Sequence, residues 1–394
     1  MVRLEPGMYV AGLDRPWLET PFAVQGFYIL SDNDIANLAE YCEHVYIDPR
    51  LVTRTSVKKR PSTGRNRVVA NPVPYDDGVS MRDEFICAEE NFESASSAVA
   101  GVFDKVRAGQ HLDIAAVSKA INPLIDSVLR NKDALAALAR VRRKDDYTYS
   151  HSISTAVWSA VLGRHLGLDV ETLRVLALGC ALIDVGKLRI PEAILSKPTA
   201  LTDEEFAEAR NHVEHSLSIV RDSQGVDPRV VDVIAGHHER HDGSGYPLGQ
   251  AGDSVPLLAR IAGLADSYDA MITPRPYAEA RSSFEAMNEL GDLKDAKFQA
   301  ELVEQFMQAV GLFPTGSLVE LSTGEVGVVV AQNATRRLKP KVMIVLNTEK
   351  RRAEPFVVVD LMTQQGGEQH LASMWITREL APGAYGIDAE EFYL

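Results

Sequence analysis

The chain has 394 residues, 45% of them hydrophobic and 24% charged, with a net charge of −14 and ten histidines. That length allows about two or three domains and one large core, and the acidic balance excludes broad nucleic-acid binding by phosphate neutralisation, so no DNA partner is expected, while a small anionic substrate needs only a local positive site. Three separated cysteines, Cys42, Cys87 and Cys180, point to a reducing compartment without disulfides; with no signal peptide and no apolar run of bilayer length, a cytoplasmic protein with no membrane association is expected.

Residues 1–53 read as a small α+β module. Strand-like pieces at Met8–Ala11, Phe27–Leu30 and Val45–Asp48 surround a helix that Ser31 caps, with Ile35, Leu38 and Ala39 on its inner face. Residues 54–81 form a linker with a basic run, Arg54, Lys58, Lys59, Arg60, Arg65 and Arg67, followed by Asn71-Pro72-Val73-Pro74; a solvated tether is the expectation. Residues 82–139 read as connecting helices. One carries the stripe Phe85, Ala88, Phe92, Ala95, Val99, Phe103 and Val106; the next carries Ile114, Val117, Ile121, Ile125 and Val128, with Pro123 expected to kink or break it. Such stripes serve core packing by default, and a homodimer seam is the sharper alternative.

Residues 140–313 are a run of core helices in which polar residues sit on or beside apolar faces. His151 opens a helix containing Ile153, Val157, Ala160 and Val161. The nearly all-apolar helix Leu173–Ile183 projects its face on to Asp184, and the chain turns at Gly186 to present Lys187. Thr202 and Glu205 make a capping box for a helix that carries Phe206, Ala209, Val213, Leu217 and Val220 inward, with His212 beside that stripe. Val230, Val233 and Ile234 share a face that helical spacing carries on to His237 and His238, before a turn built from Gly243, Gly245 and Pro247. Pro256 starts another helix, on which Ala259, Ala262 and Ala265 flank Asp266, and Arg275-Pro276-Tyr277 follows. Residues 314–394 change to strands, at Leu318–Leu321, Val326–Val330, Val342–Leu346 and Phe356–Val359. The expected fold is mainly α: an all-helical core with a small α+β module before it and a small β-rich module after it.

His151, Asp184, His212, His237, His238 and Asp266 bring four imidazoles and two carboxylates from five helices, a ligand set for iron, manganese or zinc. They are too many for one tetrahedral site and suit two ions bridged by a carboxylate. Such a pair generates a nucleophile near neutral pH and clamps phosphoryl oxygens. Lys187, just beyond Asp184, is placed to meet a phosphate oxygen, and Arg275 to grip a second phosphate.

Over residues 140–313 these motifs resemble the HD-GYP domain, a branch of the HD metal-dependent phosphohydrolases. The resemblance is carried by His151, Asp184-Val185-Gly186-Lys187, Lys197-Pro198, Leu201–Glu205, His212, the whole of His237–Pro247, Ala265–Ala270 and Arg275-Pro276-Tyr277. Residues 1–50 look like the short domain of unassigned function that often precedes HD-GYP in bacteria. The resemblance implies an all-α core holding two or three iron or manganese ions, zinc being the less expected metal. It also implies hydrolysis of cyclic di-GMP to the linear dinucleotide or GMP in second-messenger signalling, with signalling proteins as further partners. The family pattern makes His151, Asp184, His212, His237, His238 and Asp266 the ligands, with Asp184 bridging. It makes Lys187 and Asp184 the catalytic pair, with Lys187, Arg275 and Tyr277 on the substrate. Three positions depart from the pattern. The His-Asp pair that names the family is Ile183-Asp184 here, so one ion loses an imidazole. Ala278 stands where relatives carry a basic residue, and Tyr147 stands where members with a third metal place a carboxylate, so two ions at most are expected. A phosphodiesterase with an altered metal site is the leading expectation. A degenerate relative that binds cyclic di-GMP or a partner protein with little or no turnover is the alternative.

Overall fold

The computed structural model describes residues 4–5, 8–14, 27–29, 35, 38–39, 41–47, 68–141, 147–223, 225–274, 280–333, 339–362, 374–381 and 383–392. The Ser31 cap, the basic run from Arg54 to Arg67, Arg275, Tyr277, Ala278 and the side chain of Tyr147 lie outside the described residues.

Strands β1 (Tyr9–Leu13), β2 (Phe27–Tyr28) and β3 (Val45–Ile47) form an antiparallel sheet in the order β2-β1-β3. Val10, Leu13, Ile29, Leu38 and Cys42 make a small apolar core of their own beneath it. Residues 68–80 lie against the helical body. There the Val73 N–H donates to the Gly167 carbonyl at 2.8 Å, and the Tyr75 hydroxyl donates to the Leu168 carbonyl at 2.8 Å. The second half of the expected tether is therefore docked. Pro72 and Pro74 favour an extended path, and the amide between them finds a partner at a helix end.

Helices α1 (Met81–Arg107), α2 (Ile114–Arg130) and α3 (Lys132–Val141) follow. Ser80 and Asp113 cap the first two by accepting from the backbone N–H three residues on, at 3.2 and 2.9 Å. The stripe from Phe85 to Phe103 is buried as its spacing predicts, each large side chain contributing about 1.5–3 kcal/mol. Glu84 is buried between α1 and α2, where it accepts from the Ser127 hydroxyl at 2.6 Å and from two nitrogens of Arg130 at 2.7 Å each. Of the two effects expected of Pro123, a kink or a break, the break does not occur, since α2 runs through it. The carbonyl it leaves without an amide partner belongs to Lys119, an exposed residue on the solvent side, so the missing bond costs little there.

The core continues with α4 (Tyr147–Leu166), α5 (Val170–Leu182), a 3-10 turn at Val185–Arg189 and the single turn α6 (Glu192–Leu195). Then come α7 (Asp203–Arg210), α8 (His212–Arg221), α9 (Pro228–Gly236), α10 (Leu257–Ile272), α11 (Ser283–Asp292) and α12 (Ala300–Val310). The Thr202–Glu205 capping box forms, but the helix it starts stops at Arg210 and a new one begins at His212. The single inward stripe is therefore wrong at its beginning. Val213, Leu217 and Val220 are buried, whereas Phe206 is 45% exposed. The break at Asn211 re-aims the chain, and α7, dominated by charged residues, buries none of its side chains.

Strands β4 (Leu318–Leu321), β5 (Val326–Ala331), β6 (Lys341–Leu346), β7 (Arg352–Asp360) and β8 (Ile376–Glu379) form an antiparallel sheet in the order β7-β6-β5-β4-β8. Strand β8, short and largely polar, was not expected from hydropathy. Its Glu379 ties the sheet to the helices, accepting from the Arg140 guanidinium, from the Ser317 hydroxyl at 3.0 Å and from the Phe284 N–H at 2.9 Å. One apolar core runs from α1 through α12 into the sheet, with Phe306, Phe313, Leu318 and Val328 along the junction. The fold is mainly α, as expected, with a small sheet at each end. No described helix is long and apolar enough to cross a membrane.

Candidate metal centre

Five elements deliver the six expected ligands. His151 comes from the first turns of α4, and Asp184 from the junction between α5 and the 3-10 turn. His212 is the first residue of α8, His237 and His238 follow α9, and Asp266 lies in the middle of α10. The structure brings all six together. His151 Nε2 lies 2.9 Å from Asp266 Oδ1 and 3.9 Å from Asp184 Oδ2. Asp184 Oδ1 lies 3.7 Å from His212 Nε2, and ring nitrogens of His212, His237 and His238 lie within 4.8 Å of one another. Lys187 Nζ is 2.6 Å from Asp184 Oδ2 and remains partly exposed.

Local sequence explains this closeness. An added Cβ at Gly186 would sit 2.0 Å from the His212 carbonyl oxygen, so only glycine lets the turn carrying Asp184 and Lys187 seat against α8. The Gly186 N–H donates to the Ser216 hydroxyl, which donates to the Ile183 carbonyl, each at 2.8 Å. The Ile183 side chain is fully buried in the apolar core. Past the histidine pair, the chain folds back on itself. A Cβ at Gly245 would lie 2.5 Å from the His238 carbonyl oxygen. Buried Glu239 holds the returning loop by accepting from the Leu248 and Gln250 N–H groups at 2.8 and 2.9 Å. Tyr246 is thereby stacked on His238, ring centres 4.5 Å apart.

The residues fit a transition metal. His212 Nδ1 bonds the Ala209 carbonyl at 2.7 Å and His237 Nδ1 bonds the Ile234 carbonyl at 2.8 Å, each a helical turn back. A carbonyl only accepts, so both rings carry their proton on Nδ1 and present a bare Nε2. Both Nε2 atoms are buried with no hydrogen-bond partner in the protein. Two adjacent orphaned acceptors would be costly unless something electrophilic completes them. Burial pulls His212 below its ordinary pKa, His237 down to about 4, and His238 well below 6.5, so all three are neutral, the state a metal requires. Burial alone would raise Asp184, but the positive charges of Lys187 and His151 outweigh it and hold the carboxyl down at about 2. Asp266 is likewise held well below the usual carboxylate range, its bond to His151 overcoming burial. Burial pulls His151 down too, yet its two carboxylate partners lift it to about 9.

Three contributors to the site are not distinguished by sequence pattern. Asp269 Oδ2 lies 2.7 Å from His151 Nδ1, and its other oxygen accepts from Trp158 Nε1 at 3.0 Å. This buried carboxylate orients His151 from behind, as partners of metal-bound histidines do. Asp269 is three residues after Asp266 and Trp158 seven after His151, spacings that keep each on its neighbour's helix face. Glu239 is hidden inside the histidine motif as an ordinary surface acid. Its burial depends on a fold-back that periodicity does not encode.

Comparison with known proteins places this site in context. Residues 124–302 match an HD domain, residues 1–117 a domain of unknown function (DUF3391), and residues 318–366 a KOW domain associated with the HD domain. A cyclic di-GMP phosphodiesterase of Pseudomonas aeruginosa is 34% identical over 364 residues, covering 92% of this chain and 88% of that protein. The cyclic di-GMP phosphodiesterase response regulator RpfG of Xanthomonas campestris is 34% identical over 48% of this chain and 52% of its own length. The 3'3'-cGAMP-specific phosphodiesterase 2 of Vibrio cholerae is 32% identical over 48% of this chain and 36% of its own.

Proposed function

The chain belongs to the HD-GYP family of HD-domain proteins, and from that premise we propose that it is a metal-dependent phosphodiesterase that opens the ring of cyclic di-GMP. The observation that carries the reading is the pair of buried, partnerless Nε2 atoms on His212 and His237 beside Asp184 and Lys187. Cyclic di-GMP is favoured because the relative matched along almost the whole chain is named for it, whereas the Vibrio cholerae relative named for 3'3'-cGAMP matches 48% of the chain.

His151, Asp184, His212, His237, His238 and Asp266 would hold the ions, iron or manganese. When bound, they supply a water acidic enough to attack a phosphodiester at neutral pH and neutralise charge on its oxygens. The protein's own part is positioning. Asp184, ionised and wedged between His151 and His212, would be shared between two ions. Lys187 projects past Asp184 and offers N–H donors to a non-bridging phosphate oxygen. Arg275 would take the second phosphate, with Tyr277 also on the substrate. Helices α1 and α2 would help to form a homodimer, which light scattering tests.

One observation favours a second reading, in which cyclic di-GMP or a partner protein is bound with little turnover: Ile183 adds an apolar side chain where the family places an imidazole. Metal analysis after iron or manganese supplementation, run beside binding and hydrolysis assays with cyclic di-GMP, tests both. At least one metal per chain and formation of linear dinucleotide or GMP are expected. Less than about a tenth of an equivalent of metal overturns the metal site. Metal and nucleotide binding without product supports the second reading.

A further inference from the structure

Phe206 leaves a large apolar ring 45% exposed on α7, a helix with no buried residue. Arg210 follows it by four residues, on the same helix face. The Arg210 guanidinium carbon lies 4.3 Å from the centre of the Phe206 ring and 4.8 Å from that of Tyr246. Tyr246 stacks on His238 with 27° between planes, and His238 lies 4.0 Å from His237, centre to centre. A continuous series of flat groups thus leads from the candidate metal ligands out to solvent. The neighbouring acids on α7 are engaged elsewhere: Glu205 pairs with Lys197, and Glu208 accepts from Asn211 at 2.9 Å. Among the described residues, Arg210 makes no ion pair or hydrogen bond. Its guanidinium carbon lies within cation–π reach of both rings, and its N–H groups are uncommitted beside them.

We propose that Phe206 and Arg210 form a guanine-recognition ledge, on which one base of a cyclic dinucleotide lies with its O6/N7 edge toward Arg210. The proposal rests on the cyclic-dinucleotide reading above and adds the residues that select the base. Unpaired bases settle on aromatic and guanidinium faces whatever their identity. The arginine fork adds identity, because its two parallel donors match the two adjacent acceptors of guanine. Adenine places an amino group where guanine has O6, setting donor against donor. Phe206 therefore contributes affinity for any base, and Arg210 contributes preference for guanine.

The test uses the full chain loaded with manganese. Equilibrium binding of cyclic di-GMP and cyclic di-AMP is measured for the parent, Arg210→Lys and Phe206→Ser, with metal content determined for each. Lysine keeps the charge and loses the fork. The parent is expected to prefer cyclic di-GMP. Arg210→Lys should bind cyclic di-GMP roughly tenfold more weakly (about 1.4 kcal/mol) and cyclic di-AMP unchanged, with full metal content. Phe206→Ser should weaken both alike. Equal weakening of both nucleotides by Arg210→Lys would make the residue a phosphate contact and overturn the ledge, as would retained preference. Loss of metal in Arg210→Lys would make it a structural prop for His212 and overturn the ledge too. A parent that binds neither nucleotide removes the substrate reading itself, and the ledge with it.

Discussion

Asp269→Asn separates the role of the carboxylate behind His151 from its role in the core. Asp269 takes two N–H donors, His151 Nδ1 at 2.7 Å and Trp158 Nε1 at 3.0 Å, in a site closed to water. Asparagine has one acceptor oxygen, and its amide nitrogen would face a donor. One of the two partners is left unsatisfied, which costs about 1–3 kcal/mol of stability. The second effect is specific to metal. Without the carboxylate, the proton on His151 Nδ1 is no longer fixed, and Nε2 loses basicity and orientation. Loss of such a partner typically lowers metal affinity about 10–100-fold, or about 1.4–2.7 kcal/mol. The assay is a competition titration of manganese against a chelating dye, beside thermal melts with and without metal. Asp269→Asn should lower both stability and affinity, while Trp158→Phe, which removes only the second donor, should lower stability alone. If Asp269→Asn melts earlier yet binds manganese as the parent does, the carboxylate is a packing residue and the reasoning fails.

Ile183→His should lower the melting temperature of the metal-free protein, because an imidazole replaces a fully buried isoleucine; it should raise metal occupancy and cyclic di-GMP hydrolysis together, and lose both gains in an Asp184→Ala background, as paired elemental analysis and product chromatography will show. Lys187→Ala should reduce turnover and leave metal content intact, because the ammonium touches Asp184 from the open side of the site and is not itself a ligand; a parallel loss of metal would contradict that. Chelator-treated protein should be most stable near pH 6.5. Below it, the unfolded chain protonates histidines with the ordinary value of 6.5 while His237 resists down to about 4, so stability falls as pH drops. Above it, folded His151 keeps its proton up to about 9 while the unfolded chain has lost it, so stability falls as pH rises. Each such histidine contributes at most about 1.4 kcal/mol per pH unit, with His212 and His238 adding to His237 on the acid limb, and urea midpoints across that range measure the sum.

The sequence alone determined the helical nature of the body and singled out the six candidate ligands that the fold brings together. Both are local properties: the stripe from Phe85 to Phe103 repeats at helical spacing, and imidazoles or carboxylates beside such stripes stand out by their cost. The same local logic failed where burial was decided by distant chain. Phe206 has the spacing of a core residue, yet the break at Asn211 turns it outward. Pro123 has the chemistry of a helix breaker, yet the carbonyl it strands belongs to exposed Lys119. Asp269, Trp158 and Glu239 look ordinary in sequence because their partners lie outside their own helices or across a fold-back. Only the tertiary structure could show that Gly186 lets Asp184 come beside His212, or that Arg210 comes within reach of both Phe206 and Tyr246. Periodicity fixes which face of an element turns inward; what that face meets depends on contacts between residues far apart in the chain, which no single segment encodes.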